Sequence, residues 1–593
     1  RAMAKHDQVT PAAGVAERLR AAGWADALGF ERASALARSY WEIATFAAIA
    51  VFGAVVRFYD LGSRAIHHDE SLHAKFAYDL AQGRAFFHEP FMHGMFQFMG
   101  NAAVMKLLGD SDYTARVLAA TMGTGLVVLP FLLRNYLGRL GALVAALFIA
   151  ISPTLFYFSR FTREDIYTAF WTLALVVCIW RYLASEREGW LFGAAGMLAF
   201  SFATKETTFV TALIFLVFLN YMVAVDLSRR LAESLDVREP VHRFAFTAAL
   251  FPFAWLVVVL WPFLGHWRER YRLEFPAAAA LLLVLGTLTA PQFTAGLTQK
   301  LLGDGLGIGW FKSAGFDSAA GDHIADGEKT MAQISLLGMI FLTAYVGMLW
   351  DIRKWLISGA IFYFIFTFLF TTAFTNMAGF WSGIWGSLDY WLQEQHTRRG
   401  DQPEYYYFIL LSVYEFMPVL VALAGTLYYG LRGGLKDRLV TGAALLAVVV
   451  IAATGGEASE SVRNALGFAV VMVAILLVQL DLFTRFLLFW FMGSFMGMTL
   501  AGEKMPWLNV HLALPLAVLA ARYVDDYFRK TRVELDLPAF ERWAPHLYVV
   551  AGAALGTVVF LAVGPFSAAA IGVWLLLAVA AGAAVWAYVS YAP

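Results

Sequence analysis

The sequence predicts an all-helical protein that crosses a membrane many times. Two observations carry that expectation. Hydrophobic residues make up 60% of the 593 positions and charged residues only 15%, where a soluble chain carries about 25% charged residues. Continuous apolar runs recur along the chain without the two-residue alternation of a barrel strand. Length alone would suggest about four domains at ~150 residues each, but the mean hydropathy of +0.64 overrides that prior. A soluble globular protein, a disordered chain and a disulfide scaffold are excluded. With 44 basic against 44 acidic residues, no basic surplus points to nucleic acid. Cys178 is the single cysteine, so no intrachain disulfide can form.

A spanning helix needs about 20 mostly apolar residues. Such runs lie near 42–59, 114–133, 141–157, 165–183, 190–204, 208–225, 246–264, 276–292, 332–350, 355–375, 405–429, 438–455, 465–500 (long enough for two), 508–523, 546–564 and 567–591. They amount to roughly 14–17 spans. Residues 1–40 are polar and rich in Ala and Arg, without the early apolar core of a signal peptide, and read as a cytoplasmic arm. Residues 41–225 read as a first membrane module, 226–430 as further spans with external loops at 293–330 and 376–404, and 431–593 as C-terminal spans. In the first external loop, 60–112, segments 71–82 and 93–108 suit amphipathic helices lying on the membrane surface.

Basic residues in short loops set orientation. Arg18, Arg20, Arg32 and Arg38 in the arm, with Arg134, Arg139, Arg181, Arg187, Arg229 and Arg230, place that side in the cytoplasm. Loops 60–112 and 158–165 and the turn near 204–207 then face outward, as expected of a multi-pass plasma-membrane protein with an extracytoplasmic active face. Counting onward puts Arg268, Arg270 and Arg272 outside, so one segment between 190 and 330 is expected to be re-entrant or doubled.

Five polar constellations interrupt the apolar pattern. His67-His68-Asp69-Glu70, with His73, follows the first span closely; it offers a general base or metal ligands, or simply caps a helix starting near Ser71. Ser159-Arg160-Phe161-Thr162-Arg163-Glu164-Asp165 crowds a short loop, where the acids could hold a metal or hydroxyl or merely favour a helix N-terminus. Thr204-Lys205-Glu206-Thr207 interrupts an apolar stretch, as a plain turn or a neutralised ion pair, and Lys205 could hold an anionic head group as a point charge. Segment 376–415 gathers Asn376, Trp381, Trp385, Tyr390, Trp391, His396, Arg398, Tyr405 and Glu415, suited to a sugar or phosphate or else an interfacial belt. Gly502-Glu503-Lys504-Met505-Pro506-Trp507, with His511 beyond, is the fifth, and a re-entrant turn is its plain reading. Walker A, GxGxxG and HExxH patterns are absent from the sequence, so ATP-driven transport and zinc-peptidase chemistry have no support.

Together these residues resemble the GT-C class of polytopic glycosyltransferases, which use polyprenyl-phosphate sugar donors. The acid pairs Asp69-Glu70 and Glu164-Asp165 and the Thr204-Lys205 turn carry that resemblance. The runs HHDESLHA (67–74), QHTRRGDQPEYYYF (395–408) and AGEKMPWL (501–508) are similar to the prokaryotic flippase-activity-associated membrane protein family, with a departure at Glu404 where that pattern has an aromatic. The resemblance implies a GT-C-like helical bundle and transfer of a sugar, with inversion, from a polyprenyl-phosphate donor to an acceptor hydroxyl. Asp69 would be the base, with Glu70, Glu164 and Asp165 orienting the acceptor or holding a cation. Lys205, with Arg163 or Arg160, would bind the phosphate, His396 and Arg398 being second choices and Lys504 a third. His67, His68, Trp391 and Tyr405 would line the substrate. The resemblance leaves metal dependence open, since some members of the class work without one; Asp69, Glu164 and Asp165 are the candidate ligands, and oxygen donors would suit Mg²⁺ or Mn²⁺. The partners implied are the lipid-linked donor and membrane lipid, and a membrane protein complex would be compatible. Two other classes compete. A lipid-linked-sugar flippase would show repeats and polar groups on both sides. A non-catalytic accessory subunit would tolerate loss of both acid pairs.

Overall fold

The computed structural model describes residues 30–237, 239–316, 324–395, 402–453 and 460–530. Every regular element among them is a helix, as a bilayer requires of a chain whose backbone polar groups must be satisfied within each span. Seven helices among the described residues are long and apolar enough to cross a membrane, or eight if the bent pair Tyr406–Tyr414 and Phe416–Leu431 counts as one span. The chain is therefore a polytopic membrane protein, with fewer full-length spans than expected.

The shortfall has local causes. Ser152-Pro153 ends the Arg139–Ile151 helix, because proline removes a donor and disfavours a helical predecessor. In the expected 246–264 span, Pro252 sits in a tight turn within the Phe244–Val259 helix and Pro262 in another beyond it, leaving the helix too short to cross. The Glu188–Phe202 helix has only 15 residues. The expected spans 332–350 and 355–375 are joined in one 45-residue helix, Asp326–Phe370. At 1.5 Å per residue it would be about 68 Å long, roughly twice a hydrocarbon core. It breaks at Asp351 (φ −156°, ψ 100°), whose carboxylate accepts from Lys354 N at 3.0 Å and caps the second half. The 465–500 run resolves into two helices, Glu460–Leu477 and Leu482–Leu500. The expected spans 546–564 and 567–591 lie outside the described residues.

Two loop expectations are corrected. Residues 293–330 are not one external loop: the helix beginning at Ala277 runs on to Gly305, its last nine residues in π geometry, and the next begins at Asp326. Residues 376–404 are helical from Ala378 to Glu394, again with a π segment, Ser382–Gly386. The first loop does carry two short helices, His68–Ala81 and Phe96–Leu108.

Val510–Lys530 is the most enclosed long helix, packed against Arg139–Ile151, Phe416–Arg432 and Leu482–Leu500. Its first turn meets the first turns of Glu164–Ser185 and Thr207–Ser234. Three helix N-termini thus converge, and their positive dipole ends favour negative charge between them.

Candidate functional site

The first loop is anchored by a carboxylate. Glu70 is fully buried and accepts from Arg116 Nε and Nη2, both at 2.7 Å, and Arg64 Nη2 at 3.2 Å. It also accepts from the backbone N–H groups of His67 (3.1 Å) and Thr162 (3.0 Å). Burial pushes the Glu70 carboxyl up, but these donors outweigh burial and leave it below its ordinary value. The Thr162 bond ties loop one to the second acid loop. The helix starts at His68 rather than near Ser71, with His67 as its cap: His67 Nδ1 accepts from Asp69 N at 3.2 Å.

Asp69 lies beside Glu70 but stays half-open, its carboxylate 3.5 Å from His67 Nδ1. His73, one turn on, shares the face of Asp69 by the i, i+4 rule and is buried. Its Nε2 stands 3.3 Å from Glu164 Oε1. Burial lowers the His73 pKa despite that acid.

The second pair lies at the centre of the converging helices. Asp165 is fully buried; its Oδ1 accepts from Lys205 Nζ at 2.6 Å and stands 3.1 Å from His511 Nε2. Arg163 Nε is 3.6 Å from Asp165 and 3.9 Å from Glu164, and its guanidinium lies over the Trp507 ring at 3.5 Å. Both Glu164 oxygens lack a hydrogen bond among the described residues. Lys205 holds its place because the 203–204 turn is stitched to loop one: Gly94 N donates to Thr204 O (3.1 Å) and Phe96 N to Ala203 O (2.9 Å). The contact needs glycine at 94, since a Cβ there would collide with the Ala203 carbonyl.

Beside this turn, His93 Nδ1 pairs with Glu206 Oε2 at 2.6 Å. Burial lowers the His93 pKa, but Glu206 outweighs it and the net shift is upward. His88 bridges Ser382 Oγ and the His93 carbonyl, both at 2.8 Å, and burial pushes its pKa down to about 4.

The remaining expected residues fall elsewhere. Arg160 caps the end of the first helix, donating to the carbonyls of Val56, Arg57, Tyr59 and Asp60. Lys504 is buried, with Nζ 3.0 Å from Ala501 O. His67 and His68 are exposed at the rim. Trp391 is half-buried against the core, and Tyr405 is 60% exposed. Its neighbour Tyr407 is the buried one, accepting from Met505 N at 3.1 Å. His396 and Arg398 lie outside the described residues. Their neighbour Gln395 does meet the third motif, accepting from Gly502 N at 2.9 Å.

His93, Glu206 and His511 are site residues that the sequence pattern does not assign to the site. The adjacency of Lys205 and Glu206 was a signal for the second of these; nothing local marked His93. The described residues bring no three His, Cys, Asp or Glu side chains together as metal ligands. Asp165 Oδ1 is already shared by Lys205 and His511, and Asp69 is not grouped with Glu164 and Asp165 among the described residues.

Residues 89–261 match the family model described as dolichyl-phosphate-mannose-protein mannosyltransferase. That segment contains His93, the Glu164-Asp165 pair and Lys205. No curated protein matches. Among solved structures, the chain is similar to the oligosaccharyltransferase AglB of Archaeoglobus fulgidus in complex with an inhibitory peptide and a dolichol-phosphate: 15% identity, TM-score 0.38, covering 92% of this chain and 56% of that one. The apo form of the Archaeoglobus fulgidus enzyme gives 14% identity and TM-score 0.40, with 88% and 55% covered. ArnT from Cupriavidus metallidurans bound to undecaprenyl phosphate gives 14% identity and TM-score 0.27, with 82% and 78% covered. The chain spans just over half the length of the archaeal structures it resembles.

Proposed function

We propose that this protein transfers a sugar from a polyprenyl-phosphate donor to an acceptor hydroxyl at the extracytoplasmic face of the plasma membrane, with inversion. The observation that carries the reading is the buried cluster in which Asp165 holds Lys205 and His511 while Arg163 stacks on Trp507. Ionisable side chains at membrane depth need a reason, and cations fixed beside three helix N-termini suit a leaving phosphate. An apolar cavity of about 530 Å³ lies along the same Thr207–Ser234 helix, lined by Leu216, Phe251, Trp255, Leu283 and Val346. Leu216 sits nine residues from Thr207, about 14 Å down the helix, where a prenyl chain attached to that phosphate would run.

The reaction is one displacement. The acceptor oxygen bonds to the anomeric carbon as the bond from that carbon to the phosphate oxygen breaks. Asp69 takes the acceptor proton. It is the acid of the two pairs that solvent reaches, and it shares a face with His73, so an acceptor arriving from outside meets it first. Lys205 and Arg163 offset the charge gathering on the departing phosphate, and Asp165 keeps Lys205 aimed. Glu70 acts through structure, by holding loop one against loop two.

The test is transfer by purified protein in lipid discs, from radiolabelled polyprenyl-phosphate hexose to a membrane extract. Wild type is expected to label an acceptor, and Asp69→Asn to lower kcat by about 10²–10⁴-fold while remaining folded. Undiminished transfer by Asp69→Asn would remove the base; failure of wild type with every hexosyl donor would remove the reading.

A further inference from the structure

One turn along the helix from Glu164, at Tyr167, begins a patch of neutral polar side chains that the displacement does not use. Gln97 and Asn101 are both fully buried and, four residues apart on the Phe96–Leu108 helix, share one face. Across from them is Tyr167, also fully buried and one turn into the Glu164–Ser185 helix. Tyr167 faces Asn101 and lies within electrostatic reach of Glu164, and Phe96 packs edge-on to its ring at 5.7 Å. Both side-chain polar atoms of Gln97, Glu164 Oε2 and His73 Nδ1 have no hydrogen-bond partner among the described residues; Tyr167 Oη and the Asn101 carboxamide have only each other, and Glu164 Oε1 has only His73 Nε2 at 3.3 Å.

A buried polar atom left bare keeps the full penalty of losing its water, so a patch this poor in partners demands an occupant. Its chemistry follows from the lining. Carboxamides offer donors and acceptors together, a phenol offers one of each, and an ionised carboxylate accepts. A phosphate would be met by cations and a prenyl tail by apolar groups; neither describes Gln97, Asn101 and Tyr167. Groups that both donate and accept, arrayed beside one carboxylate, match adjacent hydroxyls.

We propose that Gln97, Asn101 and Tyr167, capped by Glu164, form the pocket that recognises the hydroxyls of the donor's sugar and so selects a neutral sugar with its hydroxyls free. The assignment rests on the glycosyltransferase reading. It places the sugar between the phosphate-holding cations and the interior of the Phe96–Leu108 helix. A site built to bond hydroxyls rejects an analogue lacking them, because its own polar groups are then left unpaired.

The test compares two ligands, polyprenyl-phosphate hexose and the same polyprenyl phosphate without sugar, binding to the full chain in lipid discs. Wild type is expected to bind the hexosyl lipid more tightly. Tyr167→Phe, which removes one oxygen and keeps the ring, should shrink that preference about three- to tenfold. Gln97→Leu with Asn101→Leu should abolish it, while affinity for the sugar-free lipid stays unchanged. If the leucine pair fails to fold, Asn101→Asp and Tyr167→Phe carry the comparison. A preference kept in full by all variants, or absent from wild type, would overturn the assignment and leave ordered water as the occupant. Wild-type transfer is scored separately: transfer with an unaltered preference sinks this pocket alone, whereas no transfer sinks the reading beneath it.

Discussion

The two adjacent acid pairs, Asp69-Glu70 and Glu164-Asp165, look alike in sequence: each follows basic or histidine residues and opens a helix. The structure gives them opposite economies of hydrogen bonding. In the first pair the buried member, Glu70, is saturated by five donors, and the other stays at the rim. In the second pair both members are buried; one is shared between Lys205 and His511, and the other makes no hydrogen bond among the described residues. A saturated carboxylate holds structure. An unsaturated one, enclosed beside cations, is held ready for something that is not protein. The difference lies in partners contributed from far along the chain, Arg116 in one case and His511 in the other.

The largest effect that separates the pairs is on stability. Replacing Glu70 by alanine strands Arg116, which is 1% exposed, and loss of one partner of a buried pair costs about 3–5 kcal/mol. Glu164→Gln should cost far less, because no protein hydrogen bond to the carboxylate is lost. Denaturation of the two variants in detergent decides this; similar losses would mean that Glu164 is as structural as Glu70. Glu70→Ala combined with Arg116→Met should regain part of the loss, since the stranded charge is then gone.

The sequence exposes one half of this contrast and hides the other. Charged residues interrupting apolar runs mark Asp69-Glu70, Glu164-Asp165 and Lys205 without any structure. They do not tell a saturated acid from an open one, because saturation depends on Arg116, which sits inside an apolar run and reads as an ordinary interface residue. Gln97 and Asn101 fall in a segment correctly expected to be helical, yet amides on an amphipathic helix read as its wet face. The helices themselves are legible where hydrophobic runs are long, as in Leu482–Leu500. They are not where π geometry carries a helix through Gly- and Asp-rich sequence, as in Leu297–Gly305, since glycine and aspartate signal a loop.

A second contrast, between two histidines of loop one, sets a pH dependence of intermediate size. The His88 pKa falls from 6.5 to about 4, so the folded state prefers it neutral. That contribution is present above about pH 6.5 and is lost as pH falls toward 4, on the order of 3 kcal/mol in all. The His93 pKa is raised. Its contribution is present below about pH 6.5 and is lost as pH rises through its folded pKa. Unfolding followed from pH 4 to 9 should therefore pass through a maximum. His88→Gln should flatten the acid limb and His93→Gln the alkaline limb; if either variant flattens the opposite limb, the assignment of that histidine's charge state is wrong.

The smallest effect tests whether saturation of Glu70 comes from burial or from the count of donors. Two arginines reach the same Oε2: Arg116 Nη2 at 2.7 Å and Arg64 Nη2 at 3.2 Å, with side chains 1% and 43% exposed. Coulomb attraction is screened for a partner open to water, and exposed ion pairs contribute about 0.2–1 kcal/mol. Arg64 also lies over the Tyr157 and Phe161 rings, at 5.2 and 5.4 Å, contacts worth about 0.5–1 kcal/mol at an exposed site. Arg64→Ala should therefore cost no more than about 1–2 kcal/mol, with the ion-pair share fading in high salt, while Arg116→Ala costs several and is insensitive to salt. Equal costs for the two arginines would mean that donor number, not enclosure, sets the role of the first acid pair, and the contrast with Glu164 would then rest on hydrogen-bond count alone.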